Sequence, residues 1–429
     1  MKILHSSPVS SFGGLNFVLE ELEQLKISYL LNNSLPKLTP QSKYSWKDIF
    51  YSYWSLIFCG GDCAEDVAIN LQSTFKINPF IECPSPDRLL NRLKDLSVPS
   101  KVITKNRSLV QNEISINPLL NILNIKILKR LKLIKSINRV LDYDNTFIFT
   151  KKADAKRTYK KENGYCPGVG MINDSIVYVE NRNGNSAPHT MQDDTIRRMM
   201  SLLNRQGIKV KTFRADSASY QFATITTARE YFDTLFVRAK INASTQNAIL
   251  NITNWKEIEG SERLQGSTTF IPFPDAARRA KRKDLLEEYR LIVTKEKRRD
   301  GQVNLFTGEA YVYDAILTND FKMTDQQVIE FYNQRGKQER EFDILKNDFI
   351  WYKMPFSKLE QNTVFLIVTA MCRNIYAYII RKFAQKFKYL SSHFRLKKFI
   401  FRFICIPAKW VSSGREKKLR IYGQVAFKT

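Results

Sequence analysis

Hydrophobic and polar positions alternate with two different periods along the chain, and the change of period divides it. From 15 to 97 the spacing is helical: Leu15, Val18, Leu19 and Leu22 recur with acids between them, and Trp46 to Phe58 forms a second apolar, aromatic segment. A third helix should open at Ser85-Pro86-Asp87, with Ser as N-cap and Pro in the first turn, and Leu89, Leu90 and Leu93 give it an apolar face. Residues 98–108 read as a linker, and Leu119 to Ile137 as a basic helix with KILKRLKLIK at its centre.

From 138 the pattern becomes mixed α/β. Arg139–Thr150, Ser175–Glu180, Ile208–Ala215 and Thr234–Ala239 read as strands, and a turn is expected at Asn181–Asn185. Asp194–Arg205 and Thr226–Phe232 read as helices. Residues 240–322 break the alternation and read as a β-rich insertion, with strands at Arg290–Glu296 and Glu309–Asn319. One long helix is expected over 324–349, opening at Thr324-Asp325, and another over 362–388. The organisation that follows is a helical region (1–110), a first core segment (111–239), the insertion (240–322), a second core segment (323–390) and a basic tail (391–429).

Composition sharpens this picture. The 429 residues carry 68 Lys and Arg against 42 Asp and Glu, a formal charge of +26, with 43% hydrophobic residues. That is enough apolar material for a core, and disorder, collagen and coiled coil are poor readings. The charge excess points to a polyanionic partner, nucleic acid before an anionic membrane. No N-terminal apolar run reads as a signal peptide, and the most apolar stretch, Val364–Ile380, is broken by Arg373 and Asn374. It is expected to be a core helix, so no membrane role is expected. Six scattered cysteines, without a CxxC, read as reduced and buried in an intracellular protein. Between 381 and 429 there are fourteen Lys and Arg with aromatics interleaved. Such a tail suits nucleic-acid contact, or equally a packed layer with a solvated charged face.

With three histidines, no P-loop and no GxSxG elbow, any chemistry falls to carboxylates. The Gly164–Gly170 run (GYCPGVG) reads as a strand connection. Asp142 and Asp144, in LDYDNT, share one face of a strand and need a compensating cation. Asp216, in FRADSASY, stands at the C-terminal edge of another strand, where α/β sheets place ligand groups. On the helix expected at 324–349, Tyr332, Arg335, Glu339 and Lys346 fall within about 60° of one another at 100° per residue. That face carries one aromatic, two cations and one carboxylate.

The Y-x2-R-x3-E-x6-K spacing, with Asp144-Asn145-Thr146 and Arg214-Ala215-Asp216-Ser217, resembles the DDE-type bacterial insertion-sequence transposases marked by a Y-R-E-K signature. The stretch from Gly164-Tyr165 through Arg182-Asn183-Gly184-Asn185 is similar to the hairpin region that follows the family's first motif. The resemblance covers about 138–350. It implies a ribonuclease-H-like catalytic core interrupted by the β-rich insertion, with a helical N-terminal DNA-binding region. It further implies Asp144, Asp216 and Glu339 as a catalytic triad holding two Mg2+ ions, with Mn2+ as a substitute. Tyr332, Arg335 and Lys346 would hold transposon-end DNA, and Trp255 would face a base flipped from that end. Asp142 is the alternative to Asp144 in the first motif. The implied activity is cut-and-paste transposition: cleavage of terminal inverted repeats in double-stranded DNA, then transfer of 3′ ends to target DNA. A homodimer on DNA in the bacterial cytoplasm, associated with the nucleoid, is expected. An inactive DNA-binding descendant of a transposase, or another ribonuclease-H-like nuclease, is the alternative, and metal-dependent cleavage of an end-containing duplex separates them.

Overall fold

A computed structural model describes residues 9–72, 75, 78–104, 111–281, 286–303, 308–414 and 416–423. Its centre is an eleven-stranded mixed sheet. In chain order the strands are β1 (Lys101–Thr104), β2 (Gln111–Ser115), β3 (Ile137–Asn145), β4 (Gly168–Ile172), β5 (Ser175–Arg182), β6 (Lys209–Ala215), β7 (Thr234–Ala239), β8 (Lys256–Glu257), β9 (Leu264–Phe270), β10 (Tyr289–Lys297) and β11 (Tyr311–Thr318). Across the sheet they run β1-β2-β5-β4-β3-β6-β7-β11-β10-β9-β8.

The middle five make the expected ribonuclease-H-like core. β3, β4 and β5 form an antiparallel meander, and β6 and β7 follow in parallel on the other side of β3. The insertion does not stand apart from this core. β11 pairs antiparallel with β7, and β10, β9 and β8 extend the same sheet. The stretch read as a linker, 98–108, contributes β1 at the opposite edge; its residues 105–108 lie outside the described residues.

Helices cover the sheet because its strands are apolar on both faces. Gln192–Arg205 and Phe222–Tyr231 pack on the face that takes Leu141, Tyr143 and Phe213. The other face, at β4 and β5, lies under Leu359–Lys386, a 28-residue helix. This is the apolar segment expected to be a core helix, and it is almost wholly buried. The polar residues that interrupt it are its fastenings. Asn374 accepts from the Ile176 amide at 3.0 Å and donates to its carbonyl at 2.9 Å, and Arg373 grips Glu341 with two bonds of 3.0 and 2.7 Å.

The N-terminal helices Leu15–Gln24, Ile27–Ser34, Trp46–Phe58 and Pro86–Lys94 pack against that long helix in one continuous core. Ser85 caps Pro86–Lys94 as expected, accepting from the Arg88 amide at 3.3 Å. The tail joins the same core. Phe387, Phe399 and Phe403 are buried, with Phe399 and Phe403 stacked 5.1 Å apart, while Trp410 donates to Asn16 at 3.0 Å. For these aromatics the packed-layer reading holds, while Phe401 is largely exposed.

Three local expectations change. The basic helix expected to reach Ile137 ends at Arg130, because Lys132 turns left-handed at φ 55°, and β3 begins at Ile137. The first strand stops at Asn145 rather than Thr150, and Ile148–Phe149 enters a separate three-stranded sheet with Lys156–Arg157 and Asn163–Tyr165. Of the six free cysteines, Cys166 and Cys372 are buried, Cys59, Cys63 and Cys83 are half-buried, and Cys405 is exposed.

Candidate active site

The strand period of two sets the site. Tyr143 and Leu141 point into the helix-covered core, so Asp142 and Asp144 emerge together on the opposite face. Asp142 is paired in register with Arg214 of β6, and the two side chains close on each other: Nε and Nη2 of Arg214 donate to the two carboxylate oxygens at 2.6 and 2.8 Å. Arg214 also donates to the Phe331 carbonyl, and its guanidinium lies 5.0 Å from the centre of the Phe331 ring. Asp142 is thus consumed in joining the sheet to the helix above it.

Asp144 has a different environment. One oxygen accepts from the Asn145 amide at 2.7 Å, the other from Arg335 Nη2 at 2.5 Å. Burial pushes its carboxyl up to about 7; Arg335 opposes the shift, and the negative charges of Asp216 and Glu339 add to it. The charges of Asp216 and Glu339 thus both act on the largely buried Asp144 carboxyl, against the single opposing cation of Arg335. Asp216 follows the last residue of β6 and caps the turn Ser217–Ser219, accepting from the Ala218 amide at 3.1 Å. Glu339 is exposed and lies in the first turn of a helix, Gly336–Asp348, where the helix dipole favours a negative charge.

The single helix expected over 324–349 is two, Asp325–Asn333 and Gly336–Asp348. At the junction the amides of Arg335 and Gln338 bond three residues back, to Tyr332 and Arg335, at 2.9 and 2.8 Å. Gly336, which lowers helix stability, directly follows the break at Gln334–Arg335 and opens the second helix. The continuous face computed at 100° per residue therefore does not run from Tyr332 to Lys346. Tyr332 is buried, and its hydroxyl donates to the Ala215 carbonyl at 3.1 Å, fastening the first helix to the strand end beside Asp216. Arg335 reaches Asp144, and its Nε is buried without an acceptor. Lys346 lies at the far end of the second helix, close to Lys160. That helix is clamped from behind by Arg373 on Glu341 and by Arg395 on Asp348, the latter with two 3.0 Å bonds. Sequence reasoning missed Arg373, Arg395 and Arg214 as supports; the only available signal was a cation inside an otherwise apolar or strand-like run.

Trp255 lies away from this cluster, in the loop before β8. It is half-buried, its Nε1 donates to the Ile252 carbonyl at 3.0 Å, and the Lys295 ammonium sits 4.3 Å from its ring centre. Lys295 is itself buried between Trp255 and Tyr311 and bonds Glu309 at 3.1 Å.

The donor set of Asp144, Asp216 and Glu339 suits a hard divalent cation: oxygen ligands only, and more negative charge than Arg335 neutralises. The three do not crowd onto a single point. Among the described residues only Asp62, Cys63 and Asp66 bring three ligating atoms within 4.8 Å of one another. A looser set of carboxylates leaves room for ions that keep part of their water shell.

Among solved structures, the chain is similar to one titled as the cryo-EM structure of piggyBac transposase synaptic complex with hairpin DNA. The identity is 10%, the TM-score 0.44, and the match covers 93% of this chain and 82% of that one. No curated protein sequence matches the chain. The family described as transposase DDE domain group 1 matches residues 5–429, nearly the whole chain. DNA is the substrate of that family, and divalent metal ions are its general cofactors. The chain belongs to the DDE transposase family, and it is a DNA transposase.

Proposed function

We propose that this transposase cleaves the ends of a bacterial insertion sequence of the Y-R-E-K group and transfers the 3′ ends to target DNA by cut and paste. Asp144, Asp216 and Glu339 hold two Mg2+ ions, for which Mn2+ substitutes. Bound there, the ions supply a polarised water or 3′-hydroxyl and stabilise the leaving oxygen of the phosphodiester. What supports the reading is that Asp144 is largely buried with a single 2.5 Å bond to Arg335 and feels the charges of Asp216 and Glu339, while Asp142, two residues away, is engaged by Arg214 through two hydrogen bonds.

The protein's own residues divide the remaining work. Arg335 shields the acids in the free protein, and its spare Nε donor suits a phosphate oxygen once DNA enters. Lys346 adds a second cation further along the same helix. Tyr332 acts as a positioning residue through Ala215 and Asp216. Trp255 takes an unstacked base only if Lys295 leaves its ring face. The N-terminal region, roughly 1–110, contributes to end recognition, and two copies assemble on paired ends because both must be joined to the target together. The work is done at the nucleoid, on terminal inverted repeats.

The decisive experiment incubates the protein with duplex DNA containing the element's terminal repeat and Mg2+, and sizes the products on a denaturing gel. Metal-dependent cuts at the repeat boundary are expected. Binding without cleavage would favour the inactive DNA-binding descendant.

A further inference from the structure

Immediately after Asp144 the chain leaves the main sheet and builds the small three-stranded flap. Residues 147–163 carry six Lys and Arg against two acids, with Phe147, Phe149 and Tyr159 among them. The base of the flap is firmly seated. Asn183, fully buried, accepts from the Lys156 amide at 2.7 Å and donates to the Asp154 carbonyl at 2.8 Å. Gly184 passes so close that a Cβ there would stand 2.3 Å from the Lys156 carbonyl oxygen and 2.5 Å from that of Gly164. The carboxylate of Asp154 is turned inward, accepting from the Tyr165 hydroxyl and the Leu359 amide, so it neutralises none of the flap's cations.

The tip is the reverse. Phe147 and Phe149 lie parallel within 6°, their centres 6.3 Å apart, and Tyr159 meets Phe147 edge-on at 5.1 Å. Phe149 is 39% exposed and Tyr159 66% exposed. Lys160 sits 5.8 Å from the Phe147 ring centre, and its charge acts on Lys346 of the Gly336–Asp348 helix. Burial and Lys160 together push the Lys346 ammonium below its usual range, with Asp343 opposing. Neither lysine forms an ion pair among the described residues. Two like charges that act on each other, one of them half-buried, are stabilised together when an anion lies between them. Exposed aromatic faces beside such a pair match one polymer: a strand whose phosphates meet the lysines and whose bases are unpaired, so that their faces are free to stack. In a duplex those faces are covered.

We propose that the 147–163 flap is a single-stranded DNA site, in which Phe149 and Tyr159 stack unpaired bases while Lys160 and Lys346 hold a phosphate. The inference rests on the transposase reading and adds where the strand opened beside the scissile phosphate is held. It explains why an aromatic, basic flap is fastened so rigidly between the first catalytic motif and the helix that carries Glu339.

The test is metal-free, in EDTA, with the full chain and two fluorescent probes: a twenty-nucleotide oligothymidine and a twenty-base-pair duplex of arbitrary sequence. Removing both rings, with Phe149→Ala and Tyr159→Ala, is expected to weaken oligothymidine binding about tenfold and duplex binding less than twofold. Tyr159→Trp should retain oligothymidine binding, which separates stacking from damage to the flap. Lys160→Ala should lower the salt dependence of oligothymidine binding by about 0.7 in the log–log slope, whereas the ring variants leave the slope unchanged. Equal losses on the two probes, or no loss on oligothymidine, would overturn the proposal. Cleavage is scored separately in Mg2+ on repeat-containing DNA. A flap that fails this test therefore leaves the triad reading standing, and an inactive triad leaves the flap result intact.

Discussion

Asp142 and Asp144 stand two residues apart on one face of one strand, yet they belong to different electrostatic regions. Around Asp142 the charges cancel: one guanidinium, 7% exposed, meets both carboxylate oxygens and is itself bonded and stacked on the helix above. Around Asp144 they do not cancel, since Arg335 meets one of its oxygens while the charges of Asp216 and Glu339 also act on it. The first arrangement is complete and holds the fold together. The second has an excess of negative charge that a divalent cation would relieve. The difference shows that an acid's place in a strand does not assign its role; the number and geometry of its counter-ions do.

The largest expected effect separates the two acids directly. Asp144→Asn, Asp216→Asn and Glu339→Gln should each lower Mg2+-dependent cleavage at least about a thousandfold, read as initial rates on repeat-containing DNA. DNA binding should persist, because removing an acid near phosphates reduces repulsion. Asp142→Asn should keep cleavage within about tenfold of the unaltered protein while lowering the melting temperature. If Asp142→Asn abolishes cleavage and Asp144→Asn does not, the comparison is inverted. Cleavage by Glu339→Gln at the normal rate would remove the signature from the site.

Arg335→Ala comes next. Its loss should weaken end-DNA binding about tenfold and reduce the salt slope of duplex binding by about 0.9, the signature of one lost phosphate contact. An unchanged slope would mean that Arg335 serves only as the counter-ion of Asp144. Arg214→Ala tests the closed pair. It strands Asp142 without its partner and should cost about 2–3 kcal/mol in urea unfolding, with a double-mutant cycle against Asp142→Ala recovering part of the loss. Strict additivity in that cycle would show that the two side chains do not support each other. The smallest effect is expected from Tyr332→Phe, which removes one hydrogen bond to Ala215 and should cost about 1 kcal/mol of stability with DNA affinity unchanged. Weaker DNA binding at unchanged stability would instead put the Tyr332 hydroxyl on the DNA.

A second contrast concerns the basic aromatic stretches. The tail and the flap look alike as sequence, each interleaving Lys and Arg with Phe and Tyr. In the tail, Phe387, Phe399 and Phe403 close the helical core against Phe17 and Phe383. In the flap, Phe149 and Tyr159 face solvent beside two lysines that have no ion-pair partner among the described residues. Aromatic spacing alone carries no information about which side of the chain will be covered, because the covering element lies far away in sequence.

Much of the molecule was legible before its structure. Most strands of the core, two of the insertion and the long apolar helix follow from periodicities of 2 and 3.6, which are local properties of the backbone; β4 did not, because the glycines of GYCPGVG read as a connection. The residues by themselves marked Asp142, Asp144, Asp216 and the Tyr332–Lys346 face as charges in need of partners; the choice of Asp144, Asp216 and Glu339 as a triad came from the resemblance of their motifs to a transposase family. What only the tertiary structure decided is which charge answers which acid. The turn of Tyr332 inward to Ala215, the closing of Arg214 on Asp142, the reach of Arg335 to Asp144 and the seating of the flap on Asn183 join residues 27 to 191 positions apart. Coulomb and hydrogen-bond energies depend on distance in space, and that distance is set by the packing of the sheet and helices rather than by separation along the chain.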